Sequence, residues 1–239
     1  KRGQEWRETT YYLNDSQWFI SRNNGYAFAS KGGHNNEPHN HNDIGHFILQ
    51  ANGETFLKDL GSGMYCEAYF SDKRYEFLCN GSQGHSVPII NNQLQKDGPS
   101  YCARIIDQLQ QDEEDMLEMD LAKAYEVSVL NSLVRRFVWK KVNKPMLVLT
   151  DTYNFSSTPD SIVERFITPV LSLSYESDGI VLTGDQSIKI SYDSSLLDLT
   201  VNEKDFLNHF GEKERFCQLD FSVKELSQLC RVEFEFSFL

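Results

Sequence analysis

The sequence predicts an all-β protein, a large two-sheet antiparallel β-sandwich (a super-sandwich) with little helix. Three observations carry that expectation. Short runs with period-two alternation or β-branched enrichment recur at roughly 8–12-residue spacing, the rhythm of a sandwich or barrel. Turn residues punctuate them, as at Asn143-Lys144-Pro145, Ser177-Asp178-Gly179 and Gly184-Asp185-Gln186. The 239 residues show no linker and no internal repeat, and that length suits one large sandwich spanning 1–239. Two sheets packed face to face are the simplest way for so many strands to bury an apolar face each.

Taken in order, "QWFISR" and "GYAFASK" alternate around the turn Asn23-Asn24-Gly25. "HFILQA" and "ETFLKDL" flank Asn52-Gly53, a strong hairpin signal because both central residues need positive φ. Residues 61–84, rich in Gly, Ser, Tyr and Asn, read as a long loop with a helical turn near "SDKRYEF". From residue 86 the strand patterns run on: "SVPIINNQ", "YCARIIDQLQ", "MLEMDLAKAY", "NSLVRRFVWKKV", "MLVLTDTYNF", "IVERFITPV", "LSLSYES", "GIVLTG" and "SIKISYD". "QQDEEDMLEMDLAKAYE" also suits an acidic-capped helix; the strand reading is preferred and puts Met119, Leu121 and Lys123 on one face. The tail "VEFEFSFL" alternates strictly.

Composition narrows function. The formal charge of −12 disfavours nucleic acid or an anionic membrane as partner, since neither is attracted by the net field. A polyanionic substrate would need a local basic groove, and Lys31, Lys58, Lys73 and Arg74 are its only hint. Cys66, Cys79, Cys102, Cys217 and Cys230 are odd in number and lack CxxC spacing, so neither a disulfide framework nor a thiolate zinc site is expected. No apolar run approaches the ~20 residues that span a bilayer. No signal peptide is visible, and the sequence starts at Lys1.

The chemistry concentrates in "GGHNNEPHNHNDIGHF", Gly32 to Phe47, which holds four of the six histidines: His34, His39, His41 and His46. On a strand, residues i and i+2 share a face, so His39 and His41 would project together, with Asp43 continuing the row. Asp59 ends the partner strand of the Asn-Gly hairpin, and His85 precedes the next strand in "GSQGHSVPI". Two imidazoles and one carboxylate leave a fourth position open, an arrangement that suits Zn²⁺. The choice of imidazoles stays open. A two-residue turn pairs Ala51 with Glu54 and places His46, not His41, opposite Asp59. His41 lies five residues further, about 17 Å along a straight strand. It reaches Asp59 only if the chain bends back before Gly45, which glycine permits.

"HNHNDIGHFILQANGETFLKDLGSGMY" resembles the signature of the heparinase II/III-like polysaccharide lyases: His-x-His-x-Asp, a Gly-containing strand, a Gly turn, Asp-x-Gly and a Tyr. "RYEFLCNGSQGHSVPIINNQLQ" is similar to the family's later Arg…His element, and "DLAKAYE…LVRRFVW…LVLTDTYNF" also matches. One departure is that the usual His-Asn-Thr reads His85-Ser86-Val87 here. The resemblance implies a bacterial, periplasmic or secreted enzyme whose N-terminal part is an α/α toroid and whose C-terminal part is the sandwich represented by this chain. It implies a structural zinc held by His41, Asp59 and His85, with His39 facing the substrate cleft and His46 not a ligand; the hairpin count keeps His46 as the rival ligand. It also implies a uronate polysaccharide substrate, of glycosaminoglycan or alginate type, cleaved by β-elimination, with part of the catalytic set contributed by the helical domain.

Further roles are expected around that core. Tyr65 and Tyr69 are candidate cleft tyrosines, Arg74 and Asn80 candidate binders of sugar acid groups, and Asp43 a candidate to orient a histidine, with an Asx turn as its alternative. His34 and His209 receive no role. Three rival readings are weighed. The metallo-β-lactamase motif needs a His where Ile44 stands, and a cupin needs a Glu nearer than Glu54. A non-catalytic carbohydrate-binding or accessory sandwich with a structural metal is the serious one, because an isolated sandwich does not hold a whole lyase site.

Overall fold

The structure is a computed structural model that describes residues 8–239; residues 1–7 of the expected domain lie outside the described residues. The chain opens with β1 (Thr9–Leu13), β2 (Trp18–Asn23) and β3 (Tyr26–Lys31), adds the short β4 (His34–Asn35), and returns as β5 (Phe47–Ala51) and β6 (Glu54–Leu57). These form an antiparallel sheet in the order β1-β2-β3-β5-β6, with β4 outside it. Both of its predicted turns have paired positive φ: 48° and 81° at Asn24-Gly25, 49° and 87° at Asn52-Gly53. That geometry matches the twist of the flanking strands. The loop that follows carries three single 3₁₀ turns, Glu67–Phe70, Arg74–Glu76 and Ser82–Gly84.

Next come β7 (Ile89–Ile90), β8 (Gly98–Cys102), β9 (Arg104–Gln110), β10 (Glu114–Asp120), β11 (Leu130–Lys140), β12 (Met146–Phe155) and β13 (Ile162–Pro169). The chain ends with β14 (Ser172–Glu176), β15 (Gly179–Thr183), β16 (Ser187–Tyr192), β17 (Leu197–Leu207), β18 (Lys213–Val223) and β19 (Leu229–Phe238). An eight-stranded antiparallel sheet runs β14-β15-β16-β19-β12-β11-β10-β9, and a four-stranded sheet runs β17-β18-β13-β7. Lys58 N–H, just past β6, donates to Ile167 O on β13 at 2.9 Å. The five- and four-stranded sheets therefore meet edge to edge and together face the large sheet.

Phenylalanines fill the space between the layers. Phe47 packs on Phe137, Phe166 and Phe236 with ring centroids 5.3, 5.6 and 5.5 Å away, and all four rings are fully buried. Each such side chain contributes about 1.5–3 kcal/mol through burial. Phe47 follows His46 directly, so the core anchors one end of the histidine loop.

Two expectations about elements change. "MLEMDLAKAY" is a strand only to Asp120 and then a 3₁₀ turn, Ala122–Ala124, so Lys123 does not continue the Met119 face. The hairpin β17–β18, 11 residues on each side, was not among the predicted strands. β17 lies at a sheet edge, and its outer positions carry charge, Lys213 pairing with Asp205 and Arg215 with Glu203. Those charges mask its apolar period.

Candidate metal centre

The centre lies at the seam between the five- and four-stranded sheets. His39 and His41 are not on a strand, correcting that expectation: residues 36–46 form a turn-rich loop, and His39 has φ 61°. His39 is exposed, Asn40 is buried and His41 is half-buried. Asn40 pins the peptides on either side. Its carbonyl accepts from Arg74 Nη2 at 2.9 Å, its Oδ1 accepts from Tyr75 OH at 3.0 Å, and its Nδ2 donates to His41 O at 3.1 Å.

The loop then bends back at Gly45, whose φ is 84°. His46 N–H donates to Asp43 O at 2.9 Å, and a Cβ on Gly45 would sit 2.5 Å from Leu121 Cδ1. Only glycine fits that conformation in that space. The bend brings His41 to the hairpin end, and the side-chain donors of His41, Asp59 and His85 lie within 4.8 Å of one another. The hairpin register is also not the simple one. A bulge leaves Leu49 opposite Leu57, with Gln50 opposite Thr55, so His46 and Asp59 are not ladder partners.

Hydrogen bonds assign the tautomers. His85 Nδ1 lies 2.9 Å from Gly81 O, and a carbonyl only accepts, so Nδ1 carries the proton. The Nε2 lone pair of His85 is left without a hydrogen-bond partner, fully buried and 3.4 Å from Asp59 Oδ2. Two acceptors facing each other at that distance repel unless a cation or proton lies between them. Donors on a tetrahedral ion at about 2.0–2.2 Å sit about 3.4 Å apart, so the pair fits Zn²⁺. Asp59 is held from behind by Gly61 N–H at 2.6 Å on Oδ1.

His46 is different. Its Nδ1 accepts from Ser86 N–H at 2.8 Å, so in the neutral ring Nε2 carries the hydrogen. That Nε2 lies 3.6 Å from Asp59 Oδ2. It offers a proton toward the carboxylate rather than a lone pair to an ion, which argues against the rival ligand. Ser86, the departure from the usual Asn, also accepts Ile167 N–H on its hydroxyl at 3.0 Å, tying the loop to β13.

The electrostatics agree. Burial, then repulsion by His85, lowers His41 to about 4. Burial lowers His46 to about 4, with Asp59 opposing. Burial alone would raise Asp59, but His85 and then the field of His46 hold it well below the usual carboxylate range. For His85, burial opposes protonation but is outweighed by Asp59, and the pKa is raised.

Other expected site residues are placed otherwise. Asp43 does not orient a histidine through a hydrogen bond: its Oδ1 receives Lys31 Nζ at 2.9 Å, both residues being buried. Asn80 is fully buried, donates to Arg74 O at 3.1 Å and is closed to a substrate. Tyr69 is 2% exposed and packs in a small second core with Leu60, Phe206 and Phe216, so it is no cleft tyrosine. Arg74 donates to Asn40 O and, at 3.3 Å, to Tyr69 O, bracing the loop between His39 and His41 instead of standing free. Tyr65 remains half-exposed, edge-on to His209 at 4.4 Å. The basic hint dissolves in part, because Lys31 pairs with Asp43 and Lys58 with Glu214.

Sequence reasoning overlooked the residues that hold this centre from inside. Arg135 is fully buried beneath it among Asp151, Glu164 and Tyr153. Gln95 clamps Ile44 from both sides, Nε2 to the carbonyl at 2.7 Å and Oε1 from the N–H at 3.0 Å. The signal for Arg135 was present: it occupies an inward position in the row Leu133, Arg135, Phe137, Trp139, whose other members are fully buried.

A family model described as "Heparinase II/III-like, C-terminal" matches residues 8–235. The heparan sulfate lyase HepC from Pedobacter heparinus superposes with a TM-score of 0.81 at 15% identity, over 100% of this chain and 37% of that chain. The heparinase III-BT4657 gene product gives 0.78 at 14% identity, over 100% and 37%. A crystal structure of heparinase III gives 0.73 at 14% identity, over 99% and 37%. The chain thus spans little more than a third of these proteins. No curated protein gives a significant sequence match.

Proposed function

The chain belongs to the heparinase II/III-like family, matching its C-terminal domain, and from that premise we propose that it is the zinc-binding sandwich of a polysaccharide lyase acting on uronate glycans. The observation that carries the reading is the convergence of His41, Asp59 and His85 within 4.8 Å, two residues past the exposed His39. His85 has its second nitrogen tied to a backbone carbonyl, the usual way a ligating histidine is oriented. Bound there, zinc supplies cross-linking charge. Held by His41, Asp59 and His85, it would fasten the histidine loop and the loop ending at His85 to the hairpin that carries Asp59, and so would fix His39.

β-Elimination removes the C5 proton of a uronate, expels the O4 leaving group and builds negative charge on the sugar carboxylate. An imidazole placed as His39 is can take the C5 proton or donate to the carboxylate, according to sugar stereochemistry. Tyr65 is the one tyrosine of the expected pair open enough to touch a sugar. The remaining donors for the carboxylate, and the acid for O4, belong on this reading to a helical domain in the same protein. The compartment that fits is the bacterial periplasm or exterior.

Uronate polysaccharides incubated with the protein carrying both domains test this, with unsaturated product followed by ultraviolet absorbance. Product is expected from the parent protein and lost in His39→Ala. Unchanged product in that variant removes His39 from the chemistry. Glycan binding with no product from any polysaccharide supports the accessory-sandwich reading instead.

A further inference from the structure

We propose that Arg135 is the positioning residue of the metal centre, clamping from beneath the two loops that carry its histidines; this rests on the zinc reading above. The guanidinium of Arg135 is fully buried, and each of its five N–H groups has an acceptor. Nε and Nη2 meet Asp151 at 2.9 and 2.5 Å, and Nη2 also reaches Glu164 Oε2 at 3.0 Å. The two hydrogens of Nη1 go elsewhere, to Gly45 O at 2.9 Å and Ser86 O at 3.0 Å. Gly45 directly precedes His46, and Ser86 directly follows His85. One planar nitrogen therefore sets the spacing between the loop that brings His41 back and the loop that delivers His85.

The carboxylates make that clamp rigid. Asp151 on β12 and Glu164 on β13 belong to opposite layers, and Arg135 on β11 bridges them. Tyr153 OH donates to Glu164 Oε1 from the other side. Two carboxylates around one guanidinium would leave a net buried negative charge. Burial, then Asp151, push Glu164 well above the ordinary carboxyl range, and a retained proton makes the cluster neutral. The fork geometry is specific to arginine. A lysine ammonium has three donors from one point and does not span two carbonyls and two carboxylates.

The test measures Zn²⁺ affinity of the full chain by chelator competition, and the Co²⁺ ligand-field spectrum, well below the unfolding temperature. Arg135→Lys should bind Zn²⁺ about 10- to 100-fold more weakly, the usual loss for an outer support of a metal site, with a changed Co²⁺ spectrum. A merely structural role would lower the unfolding temperature of the metal-free chain and leave both readouts unchanged, and that result overturns the proposal. The triple variant Arg135→Met, Asp151→Leu, Glu164→Met removes all the charge together, which favours folding. It should also bind weakly, and wild-type affinity in it is equally fatal. Should neither variant fold, nitrogen-15 exchange at Arg135 Nη in the wild type decides, since coupling is reciprocal. Zn²⁺ should slow that exchange, and no change overturns the clamp. A wild type that takes up neither ion sinks the zinc reading itself.

Discussion

Two clusters of titratable groups lie back to back in this molecule, and they are built on opposite principles. In the Arg135 cluster every N–H of the guanidinium is used, and Arg135, Asp151 and Glu164 are fully buried. In the histidine cluster the His85 Nε2 lone pair has no hydrogen-bond partner and the Asp59 side chain is 28% exposed. A satisfied cluster with no access to solvent has nothing left to bind. An unsatisfied one near the surface keeps a lone pair to offer. The number of shifted pKa values does not separate a brace from a site; the leftover hydrogen-bonding capacity does.

That contrast is broken or sharpened by four measurements. The largest effect belongs to the brace. Arg135→Met leaves the buried Asp151 carboxylate without its cation and should cost about 3–5 kcal/mol in urea unfolding of the metal-free chain. A loss no larger than that of a surface substitution would mean the cluster is not the rigid element.

Next is acid. His46 is held neutral by burial, with a folded pKa of about 4 against 6.5 unfolded. Its contribution is fully present above 6.5 and is lost as pH falls toward 4, by about 3 kcal/mol. His46→Asn, whose Oδ1 can still accept Ser86 N–H, should flatten that part of the stability–pH profile of the metal-free chain. Equal slopes in the two proteins would refute a His46 held neutral by burial.

Zinc itself comes third. At a free concentration 100-fold above its dissociation constant it should add about 2.7 kcal/mol to folding stability, and Asp59→Asn should abolish the gain. Uptake should also release a proton where His85 is protonated, because the ion displaces the one shared with Asp59. A pH indicator in weakly buffered solution reads it. The smallest effect is at Tyr65, half-exposed on the loop: Tyr65→Ala should change stability by about 0.5 kcal/mol or less, so any larger loss of glycan binding in that variant reports contact with the sugar.

What could be read without coordinates follows the range of the forces involved. Hairpin turns at Asn24-Gly25 and Asn52-Gly53, the alternating strands from β11 to β13, and the β19 tail were legible because their chemistry is local: a positive-φ pair or a period of two. The heparinase-like motifs named His41, Asp59 and His85 as a set, while counting along the hairpin pointed to His46. Proximity could not resolve that, since Asp59 lies within 3.6 Å of both His46 and His85. What distinguishes the two rings is Ser86 N–H and Gly81 O, backbone groups of a loop some forty residues from His46, which say where each ring keeps its hydrogen. Likewise nothing local announces that Asn80 and Tyr69 are sealed, or that Arg74 turns inward to a backbone carbonyl. Strand identity is written in neighbours along the chain. Which lone pair is left free depends on donors and acceptors supplied by distant segments, and only the folded arrangement brings those together.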